Sequence, residues 1–146
     1  MIELSEEFYA QREASRVYDY RLVTLLDVLF GVNDEHPESS LGLSVLIGGA
    51  MIRGTAITRE RWESEHVEEI KKSDQESHEM LAELLQAIFD SDEEQDADYK
   101  AEFPERHYIR RWLHFRDVTI TAGGQSIKQS HFRVSIDTIQ GWSIGY

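Results

Sequence analysis

At 146 residues, with 28 acidic side chains against 15 Lys and Arg and a formal net charge of −13, the chain has the length of one domain with a packed core. It contains no cysteine, which excludes disulfides, thiol catalysis and cysteine metal sites. No apolar run approaches the ~18–20 residues needed to cross a bilayer, and MIELSEEFYAQRE lacks the basic and apolar stretches of a secretory leader. A single cytoplasmic domain, 1–146, with no membrane association is therefore expected.

Residues 4–31 read as a helix. Ser5 is placed to cap it, Glu6 and Glu7 sit in the first turn where the helix dipole favours acids, and Gly31 is the stop. Val17, Leu22, Leu25, Leu26, Leu29 and Phe30 recur at spacings of three and four, with Tyr18 assigned to the core. Asn33–Ser40 is a loop by its turn residues.

Leu41–Ile57 is the clearest segment. Leu41, Leu43, Val45 and Ile47 alternate, Gly48-Gly49 follow, and Ala50–Ile57 leaves the turn as a second strand. Two β-rich runs split by Gly-Gly predict a hairpin, because both turn positions accept positive φ without strain. Gly54 inside the second strand predicts a bulge or sharp bend.

Thr58 caps the next helix. Trp62, Val67 and Ile70 are its apolar residues, and Lys71–Glu79 has none. Met80, Leu81, Leu84, Leu85, Ile88 and Phe89 then form an amphipathic stripe. This predicts two helices, or one with a solvated middle, inside an insertion at about 58–105. Asp90–Asp98 is expected to be loop, since nothing in it can be buried. Residues 60–105 hold 17 of the acids and four of the bases, so the charge belongs to the insertion and the rest of the chain is balanced. Residues 106–146 carry six bases against Asp117 and Asp137.

After Pro104, Tyr108–Phe115 alternates, and the apolar phase shifts at Val118 and Ile120. A bulge near Arg116-Asp117 is the expected cause. Gly123-Gly124 make a second turn. Phe132, Val134 and Ile136 form a strand, Ile136–Thr138 breaks it, and Ile139–Ile144 resumes. The fold class expected is α+β: a small Sm-like or SH3-like five-stranded β-barrel with an N-terminal helix and a long acidic helical insertion. Its core should contain Leu43, Val45, Ile47, Val118, Ile120, Val134 and Ile136.

Catalytic signatures are lacking. No two of the six histidines stand at the i, i+4 spacing of a helical metal site, no serine sits in G-x-S-x-G, and no phosphate-binding glycine loop precedes a helix. The expectation is a protein that is not an enzyme and needs neither metal nor cofactor. Two binding classes remain. The stripe Met80–Phe89 is apolar surface of the kind that marks an interface, with a homodimer its commonest closed solution. Alternatively, V-x-I-G-G-x-x-x-x-G-T-x-I resembles the first motif of Sm-like barrels, many of which bind RNA. Arg110, Arg111, Trp112, Arg116 and Arg133 combine charge with stacking rings as single-strand binders do. The acidic insertion opposes that reading by repelling phosphate, and nucleic acid is not the expected partner.

Two blocks carry a resemblance to a known family. GLSVLIGGAMIRGTAITRERWESE and YIRRWLHFRDVTITAGGQSI, the latter followed by FRVSIDTIQGWSIG, are similar to the gas-vesicle accessory protein U family. The matching positions are Gly48, Gly49, Gly54, His114, Asp117, Gly141, Trp142 and Gly145. Phe132-Arg133-Val134 departs from the aromatic–Arg-Gly of the family. The resemblance implies a non-enzymatic cytoplasmic protein that helps gas vesicles assemble or cluster, with shell or accessory proteins as partners. It transfers no catalytic residue.

Overall fold

The computed structural model describes residues 20–73, 77–104 and 110–145. Ser5, Glu6, Glu7, Val17 and Tyr18 of the expected first helix, and Tyr108 and Ile109 of the expected third strand, lie outside them. The described chain forms two compact units. One contains residues 20–62 and 110–145, the other the helical residues 63–73 and 77–104.

The first unit is built on helix α1 (Tyr20–Phe30) and strands β1 (Leu41–Ile47), β2 (Ala50–Ile57), β3 (Trp112–Ala122), β4 (Gln125–Ser135) and β5 (Gly141–Ile144). The class is α+β, as expected, but the barrel is not closed. The strands form one antiparallel sheet in the order β4-β3-β2-β1-β5, which leaves β4 and β5 at opposite edges. The reason is local. After β4 the chain turns through a 3-10 segment, Ile136–Thr138, and β5 is only four residues long. It pairs with β1, where Gln140 N donates to Leu46 O at 2.8 Å and Gly145 N to Gly42 O at 2.7 Å.

Both hairpins turn on Gly-Gly as predicted, with φ of 54° and 83° at Gly48 and Gly49 and 57° and 77° at Gly123 and Gly124. The bulge is also where the sequence placed it. Arg53 pairs with Thr119 and Thr55 with Arg116, so Asp117 and Val118 together face Gly54. Asp117 takes the left-handed conformation, φ 53°, which aspartate tolerates better than most residues. Gly54 is needed for space. A Cβ there would stand 3.1 Å from Val118 Cγ2 and 3.2 Å from both Arg116 O and Phe115 Cδ1.

Leu43, Val45, Val118, Val134 and Ile136 are buried with Ile52, Ala56, Leu113, Phe115 and Ile139. Leu22, Val23, Leu26 and Phe30 of α1 belong to the same cluster, while Ile47 and Ile120 are partly buried against it. β4 begins seven residues earlier than its apolar pattern, because Gln125–His131 pairs along β3 while staying mostly exposed.

Helix α2 (Arg59–Lys72) starts at a buried Thr58, whose Oγ1 accepts from Arg61 N at 3.4 Å. Helix α3 runs from His78 to Glu102, so there are two helices, and the run Asp90–Asp98 is helical rather than loop. Asp90, Glu93, Glu94 and Asp98 are exposed and need no core, while Asp92 and Asp96 are half-buried. Gln86 Nε2 donates to Asp90 Oδ1 at 2.9 Å, and Gln95 Nε2 to Ser91 Oγ at 3.5 Å, each one turn apart. The Tyr99 and Phe103 rings, 5.1 Å apart, close the last turn.

Candidate functional site

The family-motif positions resolve into hairpin geometry and one buried histidine. Gly48 and Gly49 have been placed in the first turn, Gly54 in the bulge opposite Asp117. Gly141 and Trp142 lie in β5, where Trp142 faces Val45 in register and packs against the core, and Gly145, at φ 92°, ends the strand. Gly145 O accepts from Ser44 Oγ at 2.7 Å.

His114 is buried on the face of β3 opposite Leu113 and Phe115. The Trp62 ring lies 5.2 Å from it and 6.2 Å from His131, and Trp62 Nε1 donates to Phe115 O at 3.1 Å. Burial, with Arg133, Arg59 and Arg110 nearby, pulls the His114 pKa down to about 3. A histidine so depressed leaves the folded state short of protons relative to the unfolded chain. Stability is therefore full above the unfolded pKa, near 6.5, and is lost as pH falls toward 3. Between pH 7 and pH 5 the loss should be about 2 kcal/mol. Urea denaturation of wild type and His114→Gln at the two pH values checks this: the variant should lose about 2 kcal/mol less than wild type, and equal losses would refute it.

The five residues singled out for nucleic acid divide. Arg110 is buried, with Nε 3.0 Å from Asp27 Oδ1 and Nη2 2.8 Å from Asp34 Oδ1. The same Nη2 donates to Gly31 O at 3.1 Å, and the guanidinium carbon lies 5.7 Å from the Phe30 ring centre. It thus satisfies the carbonyl end of α1, where the helix dipole favours a cation. Asp34 also accepts from Arg59 N at 3.3 Å, at the start of α2. Burial raises the Asp27 pKa against the pull of Arg110, while Asp34 and Asp27 together hold Arg110 above its ordinary value despite burial. Trp112 and Arg133 are engaged with each other, the guanidinium carbon 3.9 Å from the ring centre. Arg111 is exposed just before β3, and Arg116 is half-buried within it. The sequence had no signal for the Arg110 cluster, since Asp27 and Asp34 lie 83 and 76 residues away.

The α3 stripe splits in two. Phe89 is buried and Leu85 half-buried, with Ala82 buried beside them. Met80, Leu84 and Ile88 are 68%, 58% and 49% exposed, and Leu81 is exposed too. Met80, Leu84 and Ile88 follow at i, i+4 and i+8, so they form one ridge one turn apart. An exposed ridge of large apolar side chains is what a protein-binding surface requires. Among the described residues no helix is long and apolar enough to cross a membrane, and no group of three or more His, Asp or Glu could hold a metal.

Compared with known proteins, the chain matches the family model described as Gas vesicle protein GvpU-like over residues 24–146. No curated protein and no solved structure matches it.

Proposed function

The chain belongs to the GvpU-like gas vesicle protein family, and from that premise we propose a non-enzymatic accessory protein acting in the cytoplasm. It works by protein–protein contact with shell or accessory proteins, in vesicle assembly or clustering. The carrying observation is the exposed ridge Met80, Leu84 and Ile88 on α3. Large apolar side chains held in register on a helix are surface that a partner would cover. Engagement of Arg110, Trp112 and Arg133 inside the chain favours this reading over RNA binding. A helix leading into five antiparallel strands in this order supports kinship of the sheet unit with Sm-like domains. A homodimer through the same ridge is a second way to cover it.

Flotation tests the proposal, because gas-filled vesicles rise on centrifugation. Full-length protein should rise with purified vesicles. Met80→Ser with Leu84→Ser and Ile88→Ser should lower the bound fraction by about tenfold or more. Unchanged flotation of the triple variant would remove the ridge from the account.

A further inference from the structure

We infer that the occupant of the α3 ridge is a basic amphipathic helix, not a second copy of this chain. The inference rests on the reading of that ridge as a contact surface and adds the chemistry of what covers it. Helix α3 holds nine acids against one base, Lys100. The ridge occupies its first three turns, and the turns that follow carry Asp90, Asp92, Glu93 and Glu94. The ridge is thus flanked by the exposed Glu79 and Glu83 and followed by a denser run of acids.

Two such helices brought together meet a conflict. Parallel pairing sets acidic turns directly against acidic turns. Antiparallel pairing sets the Met80–Ile88 ridge against the acidic half of the other copy. In the first case like charges are held at a few ångströms while water is expelled from between them, and in the second carboxylates lose their water against apolar side chains, so both arrangements are costly. A helix with leucine-like residues on one face and Lys or Arg beyond them removes the conflict. Its apolar face covers Met80, Leu84 and Ile88, and its cations meet the acidic turns. Amphipathic helices dock into apolar surfaces through side chains spaced i, i+3, i+4 and i+7, and the ridge has the matching period. The same acidity disfavours an anionic membrane surface as the occupant.

Fluorescence anisotropy on the full-length protein tests this with four labelled peptides of equal length. The first is amphipathic with Leu and Lys, the second has the same pattern with Glu for Lys. The third is a scramble of the first that keeps its composition but loses its apolar face. The fourth carries the α3 sequence. The first should bind at least tenfold more tightly than the other three. Leu84→Ser with Ile88→Ser should weaken it about tenfold, with helix content checked by circular dichroism. Asp92→Asn with Glu93→Gln should weaken it less at high salt than at low, since salt screens the charge part alone. Equal binding of scramble and first peptide would reduce the effect to charge attraction and overturn the inference. So would tightest binding of the α3 peptide, which would make the occupant a second copy. Flotation separates the two levels: protein that rises with vesicles through the ridge yet ignores the basic peptide refutes this inference alone. Protein that binds the peptide but does not rise refutes the vesicle reading alone.

Discussion

Replacing Arg110 with alanine is expected to cost about 3–5 kcal/mol, the range seen when one partner of a buried ion pair is removed. The loss is large because one guanidinium serves three acceptors: Asp27, Asp34 and the Gly31 carbonyl. Without it, Asp27 sits half-buried with its charge uncompensated, and Gly31 O keeps only the backbone donor Asp34 N. Asp34 would keep its bond from Arg59 N but lose the group that holds its other oxygen. Lysine should rescue only part, since a single ammonium cannot reproduce the fork that reaches Asp27 and Asp34 together. Trp62, Trp112 and Trp142 all belong to the sheet unit, so urea denaturation followed by tryptophan fluorescence reads that unit directly. A loss under about 1 kcal/mol would mean the cluster behaves as a surface pair.

Phe115→Ala should be comparably damaging, about 3–5 kcal/mol. The ring is fully buried among residues of α1 and the sheet, and close-packed interiors relax only partly around a lost ring. Its carbonyl still accepts from Trp62 Nε1, so the main-chain geometry should survive and the cost should report packing. Gly54 gives an internal check. In wild type a Cβ at Gly54 meets Phe115 Cδ1 at 3.2 Å, so Gly54→Ala should destabilise. In Phe115→Ala that neighbour is gone, and Gly54→Ala should be milder or favourable. A double-mutant cycle should give a coupling of about 0.5–1 kcal/mol or more. Additivity would mean that Arg116 O and Val118, not Phe115, set the limit at Gly54.

The parts of this fold that could be read in advance are those where one local rule decides. Alternation between Leu41 and Ile47 with Gly-Gly after it leaves little choice but a hairpin. The apolar phase shift after Phe115 marked the bulge, and Gly54 marked its partner. Features decided by long-range pairing were not legible. Gln125–Ser130 has no strand pattern of its own and is extended because β3 supplies the ladder. Barrel closure depends on how β4 and β5 end, and four residues in β5 cannot be foreseen from Ile139–Ile144. Asp90–Asp98 reads as loop because nothing in it can be buried. A solvated helix needs no core over its last turns if the turns before it are formed. The ridge on α3 was visible as a stripe, but its division into buried Phe89 and exposed Met80, Leu84 and Ile88 was not.

β2 ends at Ile57 and β3 opens at Trp112, yet the two strands are hydrogen-bonded neighbours. Between them, roughly fifty residues close a loop, and closure entropy grows only with the logarithm of loop length. Doubling that loop would cost the sheet about 0.6 kcal/mol, and halving it would return as much. Most of the entropic penalty is incurred in bringing the ends together at all, which slows folding more than it weakens the folded state. Selection can therefore lengthen, shorten or recharge the helical segment with little thermodynamic objection from the strands on either side. Divergence among relatives should accumulate there in length and acidity, while the spacing from Gly54 to its own hairpin, and from Asp117 to its own, stays fixed.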